Sequence, residues 1–376
     1  MIKRKFEKLG IETSLLGFGC MRFPLNQDGT IDEVESEKMV DYAIENGVNY
    51  LDTAWPYHGG KSESFVGKII QKYKREELFV ATKLPVWDLK RAEDVEEIFN
   101  KQLENLQTEY IDFYLVHAVN KKRLEDNMKF KIMEQLERFK QQGKIKYLGF
   151  SFHDDYEPFV EWVDLYDWDF VQIQLNYMDV DHQQGYKGYE LLTEKGIPCV
   201  IMEPIKGGKL AGFRDDIEKP LKEHLPKNSI SSWAFRWVGS LPNVKVVLSG
   251  MSTMDQVVDN VNTFSDFQPL SDDEYSLVNE VSKKLNNLQA VPCTDCKYCM
   301  PCEFGVNIPR NLNMHNEHNM YEDEKGTTWV VNMLKKGNAF ADECTSCMVC
   351  VDKCPQNIMI PDELEIVKDK FSKFIK

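Results

Sequence analysis

A chain of 376 residues that is 42% hydrophobic and 28% charged has the apolar material for one large core and a smaller one. Its formal net charge of -15 argues against a duplex nucleic-acid partner, which asks for a basic face, and against an anionic membrane surface. No run of about 18 apolar residues occurs, and the opening "MIKRKFEKLG" has charge but no apolar stretch behind it, so a soluble cytoplasmic protein is expected.

In chain order, "KRKFEKLGIETS" reads as a short hairpin. After it come short apolar runs of the kind buried as parallel strands: "SLLGFG" (14–19), "VNYLDTA" (48–54), "LFVATK" (78–83), "IDFYLVH" (111–117), "IKYLGFS" (145–151), "FVQIQLN" (170–176), "IPCVIME" (197–203) and "VKVVLSG" (244–250). Amphipathic stretches lie between them, with helices predicted over 32–47, 93–107 and 128–143. Eight β-then-α units predict an α/β fold closed as a parallel (β/α)8 TIM barrel. A doubly wound open sheet is the competing architecture, but no G-x-G-x-x-G follows the first strand. A further helix is predicted over 271–289.

The C-terminal ends of barrel strands face the active site. The second run carries Asp52 with Tyr57 just after it, the third ends in Lys83 and the fourth in His117. A phenol with a pKa near about 10 is a poor proton donor or base at neutral pH. A neighbouring ammonium lowers that pKa, and a carboxylate keeps the ammonium charged. Tyr57 is therefore the expected acid or base, Lys83 its activator, Asp52 the orienter of Lys83, and His117 the group that orients a carbonyl or assists proton transfer. Each alone reads as well as an ordinary rim residue; it is their convergence that points to a site.

"GVNYLDTAWPY", Glu63 with Val66-Gly67, "VATK", "IDFYLVH" and "GKIKYLGFS" together resemble the aldo/keto reductase family over residues 1 to about 285. The resemblance implies a barrel that uses NADP(H) or NAD(H) to interconvert carbonyls and alcohols, with Asp52, Tyr57, Lys83 and His117 as its tetrad. It further implies that Ser151 and Gln172 hold the nicotinamide carboxamide. The loop "EPIKGGKL", with Pro204, Ile205, Gly207 and Gly208, would wrap the pyrophosphate, and Gly250, Gln256 and Asn260 of "LSGMSTMDQVVDN" would face the adenosine end. The glycines also read as plain turn residues. Departures from the family pattern are Phe152 after Ser151, Met202 in place of a stacking tyrosine, and no Arg or Lys between 246 and 260 for a 2'-phosphate. Trp55, Trp87 and Phe152 suggest an apolar or ring-bearing carbonyl substrate, with core packing an equal reading.

Eight of the ten cysteines lie between 293 and 354, in a chain with no sign of an oxidising compartment. Cys344, Cys347, Cys350 and Cys354, followed by Pro355, form the C-x2-C-x2-C-x3-C-P run of bacterial ferredoxins. There, three thiolates serve one cubane and the fourth serves the other. Two 4Fe-4S clusters are therefore predicted, one on Cys293, Cys296, Cys299 and Cys354, the other on Cys344, Cys347, Cys350 and Cys302. Cys302 comes one residue early for the pattern. Zinc is the alternative, since C-x2-C pairs also build tetrahedral sites. A helix is predicted over 329–337. The segment resembles a mainly α-helical two-cluster ferredoxin domain, giving a barrel over 1–288 and an iron-sulfur domain over 289–376. An electron-transfer enzyme working with a ferredoxin or flavodoxin is a second expectation. A redox-sensing module, like the barrels that serve as potassium-channel β subunits, is a third.

Overall fold

The computed structural model describes residues 1–376 except Thr294, Cys296 and Pro355. The opening segment forms an antiparallel hairpin of β1 (Lys3–Phe6) and β2 (Ile11–Ser14). Eight parallel strands follow: β3 (Leu16–Gly19), β4 (Tyr50–Asp52), β5 (Phe79–Leu84), β6 (Ile111–Val119), β7 (Ile145–Phe152), β8 (Phe170–Gln174), β9 (Cys199–Met202) and β10 (Val244–Gly250). Among the described residues they close a barrel in the order β10-β3-β4-β5-β6-β7-β8-β9. Each predicted apolar run thus becomes one stave, flanked on both faces by apolar material and so requiring no polar side.

Side chains of Tyr50, Phe113, Phe170, Val200 and Val246 fill the barrel interior, and the Phe6 ring packs tilted against Phe113 at 5.6 Å. The hairpin therefore delivers an aromatic plug to the barrel core. The predicted helix over 128–143 is divided. One helix ends at Phe130, Lys131 takes a left-handed conformation (φ 51°), and a second runs from Ile132 to Gln141. Phe130 and Ile132 are both buried. Two residues apart they would point in different directions on one continuous helix, and the break at Lys131 brings both inward.

The chain divides into two compact units, Met1–Gly207 with Asn228–Tyr275, and Gly208–Lys227 with Ser276–Lys376. The second unit contains the helices Ile308–Tyr321, Glu324–Lys336 and Ile360–Phe371. Its core is built on Leu312, Val331, Leu334, Phe340, Leu364 and Phe371. The helix Asp215–His224, which follows β9 in sequence, belongs to this unit. Among the described residues no helix is long and apolar enough to cross a membrane.

Candidate active site and cluster loops

Parallel register sets the site. Asp52 ends β4 opposite Ala81, Lys83 lies level with Leu115 of β6, and His117 stands two residues further along that strand. Tyr57 is carried by the loop after β4. There Tyr57 N–H donates to Ala54 O at 3.1 Å and the next three residues, His58, Gly59 and Gly60, all have positive φ. His58 is pinned in that strained turn because its Nε2 accepts the Phe23 N–H at 3.3 Å.

Lys83 is fully buried, and its ammonium donates to Asp52 Oδ1 at 2.7 Å, Thr53 O at 2.7 Å and Tyr57 Oη at 3.4 Å. Those three acceptors use all three donors of an ammonium. Burial alone would strip its proton, but Asp52 and Tyr57 outweigh that and raise the Lys83 pKa. Burial pushes the Asp52 carboxyl up while Lys83 pulls it back.

The expectation that Lys83 leaves Tyr57 with a lowered pKa is corrected by the structure. Lys83 does pull the phenol down, but burial is the larger effect and the net shift is upward. Tyr57 therefore stands protonated at neutral pH. His117 is pushed well below the usual imidazole range by burial, then by Lys83 and His153, so it is neutral there. Trp87 lies 4.9 Å from the His117 ring with 39% of its surface open. Phe152, for which a substrate wall and core packing were equal readings, is fully buried, 4.9 Å from Phe159, and belongs to the packing.

A polar network that sequence reading missed backs the lysine. Gln102 Nε2 donates to Lys83 O at 3.0 Å and to Glu63 Oε1 at 2.7 Å. Glu63 also accepts from Thr82 Oγ1, and Gln102 Oε1 from Tyr114 Oη. The signal was available, since Gln102 interrupts the buried stripe Val95, Phe99, Leu106 of its helix. That helix approaches the neighbouring one so closely that a Cβ on Gly67 would lie 2.3 Å from Asn105 O.

Ser151 and Gln172 are paired neighbours on β7 and β8 and both are buried. Ser151 Oγ accepts the Ala118 N–H at 2.8 Å, which leaves its own hydrogen free to donate. Gln172 Nε2 contacts Met202 Sδ at 3.4 Å, while Gln172 Oε1 is buried with no partner among the described residues. A primary carboxamide has the donors and the acceptor this pair asks for, so the residues fit a nicotinamide.

In the loop after β9, Pro204 is buried, Ile205 half-buried, and Gly207 (φ 66°) and Gly208 (φ 101°) are exposed. The loop is braced by an ion pair between Lys206 and Asp179, itself held by Gln174 and Asn176. These braces carried no sequence signal. Gln256 Oε1 accepts the Ser252 N–H at 2.7 Å, and Gln256 N–H donates to Thr253 Oγ1, the N-cap of the helix Met254–Ser265. Asn260 is buried and donates to Ser249 Oγ at 2.9 Å, tying that helix to the end of β10, where Gly250 lies.

In the second unit, Cys302, Cys344, Cys347 and Cys350, with Cys299, line one cavity of about 200 Å3. Burial, then Cys344, Cys347 and Cys302, push the Cys350 thiol up, so the four are electrostatic neighbours. Among the described residues no three Cys, His, Asp or Glu side chains converge as on a single ion; these thiols ring a space instead. Cys293 and Cys354 pack with Cys299 and Cys302 on the unit's core, and Cys296 lies outside the described residues.

The two loops repeat in backbone form. Left-handed residues recur at Asp295 and Ser346, at Lys297 and Met348, and at Gly305 and Asn357. Each loop then enters a helix through Ile-Pro, at Ile308-Pro309 and Ile360-Pro361. Successive turns of this kind point amide hydrogens into a concavity suited to sulfide or other anions.

Against known proteins, residues 15–283 match the aldo/keto reductase family and residues 292–359 match the 4Fe-4S dicluster domain. The uncharacterized oxidoreductase YqkF of Bacillus subtilis is 28% identical over 291 residues, 69% of this chain and 90% of that one. L-galactose dehydrogenase of Arabidopsis thaliana is 26% identical over 310 residues, 76% of this chain and 95% of its own. Among solved structures, a holo-form aldo-keto reductase of Bacillus halodurans superposes with a TM-score of 0.62 at 27% identity, covering 75% of this chain and 96% of that one. An aldo-keto reductase of Klebsiella pneumoniae in complex with NADPH shares the fold at TM-score 0.61 and 19% identity, covering 75% of this chain and 96% of its own.

Proposed function

The chain belongs to the aldo/keto reductase family and carries a 4Fe-4S dicluster domain, and from that premise we propose an NAD(P)H-dependent oxidoreductase that interconverts a small-molecule carbonyl and its alcohol. The observation that carries this reading is the fully engaged Lys83, bonded to Asp52, Thr53 O and Tyr57. Ser151 and Gln172 would hold a reduced nicotinamide through its carboxamide, and that group would supply the hydride. Tyr57 gives its proton to the carbonyl oxygen, and Lys83 stabilises the phenolate left behind. Asp52 keeps Lys83 charged. Neutral His117 offers an N–H to the same oxygen and aligns it. Tyr57→Phe removes the proton donor without vacating the site, so carbonyl reduction should fall about 10²- to 10⁴-fold while nucleotide affinity is kept. Full activity in that variant would refute the assignment.

With no cation between 246 and 260, a 2'-phosphate gains little there, and we assign NADH and NADPH comparable standing. The reductase chemistry is assigned to 1–288 and cluster binding to 289–376. There we propose two 4Fe-4S clusters, on Cys293, Cys296, Cys299 and Cys354, and on Cys344, Cys347, Cys350 and Cys302. Thiolate-held clusters suit a reducing, cytoplasmic setting.

A second reading, electron exchange with a ferredoxin or flavodoxin, is favoured by the exposure of Cys347, Met348 (46%) and Val349 (44%), which opens the cluster loop to a partner. Reduced ferredoxin or flavodoxin should then bleach the cluster absorbance in anaerobic stopped flow. No bleaching with either carrier would exclude this reading.

A further inference from the structure

Resting on the nucleotide binding proposed above, we infer that Arg22 is the cation that anchors the dinucleotide pyrophosphate. Three neighbouring staves set the geometry, β3, β10 and β9 in barrel order. Arg22 leaves the loop just after β3, and its carbonyl accepts the Ser252 hydroxyl at 2.8 Å. Its stem lies along the end of β10, where a Cβ on Gly250 would stand 3.2 Å from Arg22 Cγ and 3.4 Å from Cδ. Its tip reaches the loop after β9, where a Cβ on Gly207 would stand 3.9 Å from Nη2. The side chain thus crosses one strand end, laid against Gly250, and presents its guanidinium near the backbone of Gly207, where Glu203 Oε2 also stands 3.5 Å from the same Cβ position.

That guanidinium is exposed and, among the described residues, holds no carboxylate, whereas Arg75, Arg123, Arg138 and Arg236 each do. An unpaired guanidinium stands out in a chain with 61 acidic and 46 basic residues. Its planar fork matches phosphate oxygens. The cations of that loop are already committed, Lys206 to Asp179 and Lys209 to Glu317. Because the tip lies at Gly207 and not along the helix Met254–Ser265, the phosphate it meets is the bridging one common to NADH and NADPH.

The test is direct binding of NADH and of NADPH to the anaerobically purified full chain, followed by quenching of protein fluorescence, for the wild type, Arg22→Gln and Arg22→Lys. Loss of a charge-assisted contact predicts that Arg22→Gln weakens both nucleotides about ten- to hundredfold. Arg22→Lys should lie between, and affinity should depend less on salt in Arg22→Gln than in the wild type. An unchanged melting temperature without nucleotide separates this from a folding defect. Weakening of NADPH alone would overturn the inference by assigning Arg22 to the 2'-phosphate, and unchanged affinity for both would overturn it outright. A wild type that binds neither nucleotide removes the proposed function itself, and this inference with it.

Discussion

Lys83, Tyr57 and His117 show how burial divides protonation among groups in contact. Lys83 keeps its charge because three acceptors replace water; Tyr57 keeps its proton because burial outweighs the ammonium beside it; His117 gives its proton up. The pH profile follows with definite signs. Carbonyl reduction needs Tyr57 protonated and its pKa is raised, so the rate should stay level through neutral pH and fall only above the ordinary phenol range, about pH 10. His117 has a lowered pKa, so the acid limb should lie below the ordinary imidazole value of about 6.5. A reduction rate that already declines between about pH 7 and 9 would contradict the raised phenol. The identities of these residues were readable from the strand ends. The direction of the Tyr57 shift was not, because residue types say which charges are near but not how completely water is excluded.

At the scale of elements, the staves were the plainest signal, since a strand buried on both faces is a continuous apolar run. The break at Lys131 was hidden, because a lysine has no sequence mark for left-handed backbone and only the tertiary demand to bury Phe130 and Ile132 imposes it. The loop braces were hidden for a similar reason. Asp179 and Lys206 are 27 residues apart and meet only once β8 and β9 pair. The paired cysteine loops were more open to reading, and the early position of Cys302 is accommodated because the backbone pattern realigns by Gly305 and Asn357. Since Cys302 shares its cavity with Cys344, Cys347 and Cys350, Cys302→Ala should cost one cluster. Iron in anaerobic preparations should drop from about eight to about four per chain if that cluster is lost whole, with the remaining cubane spectrum intact. An unchanged iron content would remove Cys302 from the ligand set.

For the whole molecule, the concentration of cysteines after 293 pointed to a second body, and residues 15–283 and 292–359 match two different families. What composition did not reveal is the allegiance of the helix Asp215–His224. The β/α rhythm assigns it to the barrel, and buried Ile217 and Leu221 are generic enough to serve any neighbour. In the folded chain it joins the second unit, so the polypeptide changes body after Gly207, after Lys227 and again after Tyr275. Neither body is a single uninterrupted length of chain. On the ribosome, the residues 208–227 must therefore wait through nearly fifty more before the rest of their own unit begins to emerge, and no one cut in the backbone can part the two bodies cleanly.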